Sequence, residues 1–106
     1  MKKVYNKLVR DKIPEIIKSN GENPVIRILD KNEYKAELEK KLQEECEEVL
    51  NASGIDRLEE LADVFEILKA LAKLENSNIN EVEKIANEKN SKRGAFEQQI
   101  FLEQVK

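Results

Sequence analysis

A chain of 106 residues fits one domain, 1–106, large enough for a real core and small enough that a second copy could help complete it. Its 19 basic and 22 acidic residues leave a net charge of -3, which excludes the one-sided field of a binder of nucleic acid polymers or of anionic membranes. Histidine is absent and Cys46 is the single cysteine, which excludes Ser/His/Asp and Cys/His catalysis, CxxC redox chemistry and zinc sites built on imidazole or paired thiolates from this chain acting alone.

Charged residues make up 39% and aromatics 5%, the balance of long amphipathic helices rather than of sandwiches or barrels. No apolar run approaches the roughly 20 residues of a membrane span, and no signal-peptide h-region opens the chain, so a cytoplasmic address is expected.

In chain order, Pro14 suits the first turn of a short helix and Gly21 its exit, which predicts a helix over 11–19. The β-branched "PVIRIL" at 24–29 predicts a short edge strand or extended linker, with "AFEQQIFLEQV" at 95–105 as its partner in a small two-stranded element. Asp30 with Glu33 forms the pattern of a capping box and opens a long helix to about Ala52, stopped by Ser53 and Gly54. Asp56 with Glu59 repeats the device for a helix running to about Glu75. A third main helix is predicted to start at Asn80, with Glu83 at its third position, and to close at Gly94. Short loops make these helices antiparallel neighbours, so the expected fold is an all-α helical bundle.

Spacing residues about 100° apart shows where the acids point. In the first long helix Leu38, Leu42 and Val49 form an apolar stripe; Glu45 lies within it and Glu48 on its edge. In the second, Glu59, Glu66, Lys69 and Lys73 form the polar stripe, and Glu60 and Asp63 fall inside the apolar arc that holds Leu58, Leu61, Val64, Phe65, Ile67, Leu68, Leu71 and Leu74. Each helix is thus expected to bury an acidic pair spaced i, i+3.

An uncompensated buried carboxylate costs several kcal/mol, and two facing pairs would also repel. Lys41 is one turn from Glu45 but is read as pointing to the flank, and no Arg lies on either arc, so a metal ion is the better neutraliser. Four carboxylates without His or Cys make a hard, oxygen-only site, which selects Mg²⁺, with Mn²⁺ as a substitute, and Mg²⁺ sites commonly hold substrate phosphates. Solvated helix surface is the alternative for either pair alone.

Glu44-Glu45-x-x-Glu48 followed by Glu60-x-x-Asp63 resembles the EExxE and ExxD motifs of the MazG-like all-α nucleoside triphosphate pyrophosphohydrolases, a superfamily that includes phosphoribosyl-ATP pyrophosphohydrolase. "YNKLVRDKIPEII" at 5–17 and "KRGAFEQQIFLE" at 92–103 are similar to one subgroup, so the resemblance covers nearly the whole chain. It implies that Glu45, Glu48, Glu60 and Asp63 bind Mg²⁺, and that Glu44 and Glu45 serve catalysis, Glu44 by holding the attacking water or shaping its surroundings. The implied reaction is hydrolysis between the α and β phosphates of a nucleoside triphosphate, giving a nucleoside monophosphate and pyrophosphate. Ala62 stands where many relatives carry Gly, and the short connection from Glu48 to Glu60 leaves little material for a base-recognition insert.

A triphosphate also needs protein cations, and two clusters offer them: Lys7, Arg10 and Lys12, and Lys89, Lys92 and Arg93. Basic residues near a helix C-terminus also complement its dipole. Cys46 reads as a small core residue, and Tyr5, Tyr34, Phe96 and Phe101 as core packing before base stacking. The second helix has an apolar arc of roughly 240°, wider than one hairpin partner covers, so self-association to a dimer or larger is expected. Two competing expectations are phosphoribosyl-ATP as the substrate and a non-enzymatic helical adaptor that uses the arc for docking.

Overall fold

Four helices organise residues 3–106, the residues described by the computed structural model: α1 (Ile13–Ser19), α2 (Lys31–Asn51), α3 (Gly54–Leu74) and α4 (Ile79–Arg93). The all-α expectation is met.

Local chemistry explains most boundaries. Pro14 sits in the first turn of α1, and Gly21 at φ 83° closes it, with the Gly21 N–H donating to Lys18 O and the Glu22 N–H to Ile17 O. Asp30 caps α2 by accepting from the Glu33 N–H at 2.9 Å. The reciprocal half of the box is absent, because the Glu33 carboxylate instead takes both Arg27 amino groups at 3.2 and 2.7 Å.

The link between α2 and α3 is Ala52 and Ser53, too short for anything but an antiparallel hairpin. Arg57 locks this corner: its Nε donates to Val49 O at 3.2 Å, which also accepts the Ala52 N–H at 3.4 Å, and to Ala52 O at 2.9 Å, just past the end of α2. α3 ends in a paired motif in which Asn76, at φ 59°, and Ser77 donate to Lys73 O and Ala72 O at 3.0 Å each.

Two predicted helix starts are displaced. α3 begins at Gly54, with φ 60°, so Asp56 lies in its first turn and does not cap it; Ser53 is the N-cap residue and makes no side-chain cap bond. For α4 the cap is Asn78, which accepts from the Glu81 N–H at 3.0 Å, and not Asn80. Two asparagines two residues apart both suit a cap, and the wheel does not choose between them.

The expected β element at 24–29 and 95–103 is overturned: no strand occurs among the described residues, and no backbone hydrogen bond joins the two segments. Their apolar side chains are open, with Val25 99% and Phe96 96% exposed.

α2 packs along α3, and α4 touches α3 only lightly. Leu38, Ile67 and Ala72 are the buried core of the described residues. The broad arc of α3 is split by this packing. Val64, Ile67, Leu71 and Leu74 turn toward the inside, whereas Leu58, Leu61, Phe65 and Leu68 remain exposed. Cys46, Tyr5, Phe96 and Phe101, expected in the core, are exposed as well; Tyr34 is half-buried.

Candidate metal centre

Antiparallel pairing sets the acids level with one another. Glu45 stands six residues before the end of α2, and Glu60 six residues after the start of α3, so both lie about 9 Å from the connecting corner. Asp63 follows Glu60 by three positions and shares its face. Carboxylate oxygens of Glu45, Glu60 and Asp63 come within 4.8 Å of one another, and all three residues are half-buried.

This set is made only of hard oxygen donors. Mg²⁺ holds its ligands at about 2.1 Å, so opposite oxygens around it stand about 4.2 Å apart. Closing the observed spacing to that value takes only a small rotation of one carboxylate. The donor set fits a divalent hard cation.

The structure keeps three of the four predicted ligands together and moves one outward. Glu48 is exposed and outside the set, although its charge still acts on Glu60. It sits at the edge of the α2 stripe, where one turn of α2 carries it past the contact with α3. The i, i+3 pair of α2 is therefore not buried as a pair. Glu44 is exposed too and borders a small recess with Lys7, Leu8, Glu37, Lys40 and Lys41.

Crowding of like charges is felt at Glu60. Partial burial, the charges of Glu45, Glu48 and Asp63, and a hydrogen bond to Glu45 that only the protonated form can donate hold its carboxyl above the ordinary glutamate range.

Two cations moderate the cluster: Lys41, expected to point to the flank, and Arg10, which lies on neither arc and was expected at the substrate. Arg10 Nη2 donates to Asp63 Oδ1 at 2.7 Å, reaching α3 from the segment that precedes α1. Lys41 Nζ lies 4.0 Å from Glu45 Oε1 and does not simply point to the flank. The signal for Lys41 was its i, i+4 spacing; Arg10 pairs through tertiary contact, which has no local signature.

The other predicted phosphate ligands are not gathered here. Lys7 lies 5.8 Å from the Tyr5 ring centroid and beside the Glu44 recess, and Lys12 occupies the N-cap of α1. Lys89, Lys92 and Arg93 lie on the exposed last turns of α4, with Lys92 and Arg93 complementing its C-terminus. None of these five forms an ion pair among the described residues.

No family model and no solved structure matches the chain. A protein of Mycolicibacterium smegmatis described as an uncharacterized protein is 51% identical over 49 residues, which is 46% of this chain and 50% of that protein. The chain thus spans about half the length of the relative it matches.

What the centre can do follows from its chemistry. Three convergent carboxylates with an arginine at their rim can hold a hard cation on one side and an anionic group beside it. Among the described residues, no helix is long and apolar enough to cross a membrane.

Proposed function

We propose that the chain is a Mg²⁺-dependent, MazG-like nucleoside triphosphate pyrophosphohydrolase, with Mn²⁺ as an alternative ion. The observation that carries this reading is the meeting of Glu45 with Glu60 and Asp63 within 4.8 Å across the α2–α3 hairpin, at the motif positions of that family. Bound there, Mg²⁺ supplies the positive charge that offsets a triphosphate and promotes attack by water.

Glu45, Glu60 and Asp63 would hold the ion, with the exposed Glu48, one turn from Glu45, as the fourth candidate ligand. Arg10, now paired with Asp63, would present its guanidinium to a phosphate of the substrate, a role suited to its planar fork of donors. Glu44, beside Glu45 and open to solvent, accepts the proton of the water that attacks the α phosphorus. The new bond is water oxygen to α phosphorus, and the bond to the α–β bridging oxygen breaks, which releases pyrophosphate.

Self-association belongs to the same proposal. Leu58, Leu61, Phe65 and Leu68 recur at steps of three, four and three, the spacing of a helix-packing seam, and all are exposed in one chain. In a dimer or larger assembly Lys89, Lys92 and Arg93 of one copy serve a nucleotide held by another. A cytoplasmic address fits a nucleotide substrate.

The helical adaptor stays as a second reading because of the same open seam and because Arg10 already neutralises Asp63. Pyrophosphate release from a panel of nucleoside triphosphates, with Mg²⁺, with EDTA, and with Glu60→Gln and Asp63→Asn, separates the two. Release abolished by EDTA and by either variant supports the enzyme. No release from any triphosphate or from phosphoribosyl-ATP leaves the adaptor.

A further inference from the structure

Two features of the chain are incomplete in the same way. Residues 24–29 belong to no helix or strand, and no backbone hydrogen bond from them to another segment is formed among the described residues. Beyond the turn at Phe96–Gln99, residues 100–106 likewise belong to no helix or strand and are equally unpaired. Both are apolar: Ile26 and Ile28 are 61% and 90% exposed, and Ile100 and Leu102 are 80% and 74% exposed. A row of unpaired N–H and C=O groups beside exposed aliphatic side chains is a strand edge awaiting a partner.

The amount of open surface says where that partner comes from. A compact chain of 12.3 kDa exposes about 6,100 Å², whereas this one exposes 10015 Å². Its radius of gyration is 18.3 Å, against about 13 Å for a compact chain of this length. The excess, about 3,900 Å² per chain, is more than the roughly 1,000–2,500 Å² that each partner of an obligate homodimer buries, so a second copy has ample surface to cover. The twelve residues after Gly94 can span roughly 40 Å when extended, more than the 33 and 24 Å of the molecule's two shorter dimensions.

We propose that the C-terminal arm, 95–106, is an exchanged arm: in a homodimer each copy lays residues 100–105 along residues 24–29 of the other as an added β-strand. Main-chain hydrogen bonds supply affinity, and the alternating Ile26 and Ile28 meet Ile100 and Leu102 on one face. Pro24, which cannot donate, falls at the strand's first residue, where proline is tolerated. Arg27 is held to one side by Glu33, which keeps its charge off the pairing face. The exchange needs no nucleotide and is read without activity, so failure of the pyrophosphohydrolase reading and failure of the arm exchange are separate results.

The test uses full-length chains in a Cys46→Ser background. One chain carries Ile26→Cys, the other, with a different tag, carries Leu102→Cys, on the same strand face, and the two are mixed and oxidised. A covalent heterodimer is expected, together with a dimeric mass by light scattering. In a second variant, Ile100→Asp with Leu102→Asp, the dimer dissociation constant rises at least about tenfold while the helical signal in circular dichroism persists. No cross-link at all, a monomeric mass for the unaltered protein, or a dimer indifferent to the Asp pair would each overturn the proposal.

Discussion

The Arg10 guanidinium lies 2.7 Å from Asp63 Oδ1, a contact between residues 53 positions apart that sets a fixed protein cation at the rim of the acidic cluster. Both side chains are about half exposed, at 57% and 42%, so the pair itself contributes no more than about 1 kcal/mol to stability. Its importance is competitive: guanidinium and a divalent ion claim the same carboxylate. Arg10→Gln is therefore expected to tighten Mg²⁺ binding by up to about fivefold, since release of the pair no longer opposes it. In the same variant the KM for nucleotide rises, on the order of tenfold, as a phosphate partner is lost. Calorimetry with Mg²⁺ alone and steady-state kinetics give the two signs; Mg²⁺ binding weakened along with nucleotide binding would sink this account of Arg10.

Glu60 makes the metal-free protein sensitive to pH. Partial burial first, and then the charges of Glu45, Glu48 and Asp63, raise its folded-state pKa above the ordinary glutamate value. Below that ordinary value, both folded and unfolded chains carry the proton and Glu60 contributes no pH dependence. As pH rises from about 4.3 toward the raised value, the unfolded chain releases the proton first, so stability falls. Above the raised value the whole penalty is present. In EDTA, Glu60→Gln should thus melt a few degrees above the parent at neutral pH and lose this downward slope, whereas added Mg²⁺ should raise the melting temperature of the parent and leave the variant nearly unchanged. Parallel melting curves across pH for the two proteins in EDTA would remove Glu60 as the origin.

Local rules were enough to place α2 and α3 and the facing of their acids, because a 3.6-residue period and the pairs Glu45/Leu42 and Glu60/Ile67 are read within one element. They fell short where the partner is distant or the geometry marginal. Glu48, on the edge of its stripe, ends up exposed; nothing in α2 alone says how far the contact with α3 extends. Arg10 was legible as a cation near a phosphate, but its attachment to Asp63 depends on how the first segment crosses the hairpin. Strand character in 24–29 and 95–105 was legible as composition only, since pairing is a property of two segments and within this chain no backbone hydrogen bond joins them among the described residues.

Arg57 holds the corner that levels Glu45 with Glu60. Its two bonds, to Val49 O and Ala52 O, satisfy carbonyls at the end of α2 through a residue in the first turn of α3. Arg57→Met keeps the aliphatic stem and removes the donors, and is expected to cost about 1 kcal/mol. Asn78→Ala, which removes the cap of α4, should cost a similar amount, because one orphan N–H loses its acceptor. Chemical denaturation measures both. The two should differ in Mg²⁺ affinity, however: Arg57→Met loosens the hairpin that assembles the acids and weakens binding, while Asn78→Ala leaves it unchanged.

Ile67 and Phe65 are two residues apart on α3 and face different fates. Ile67 is 6% exposed against α2, whereas Phe65 is 48% exposed on the seam with Leu58, Leu61 and Leu68. Ile67→Ala leaves a cavity in a core whose fully buried side chains are few, and is expected to cost 2 kcal/mol or more, taking about 2–5 kcal/mol as the usual range. Phe65→Glu removes nothing that one chain buries deeply, but it places charge where two copies would pack. It should therefore dissociate the assembly, lowering the mass measured by light scattering toward that of one chain, while circular dichroism at low concentration retains the helical signal. If the seam is instead solvated surface, Phe65→Glu will leave the mass unchanged, and the open half of the α3 arc will need a partner other than a second copy.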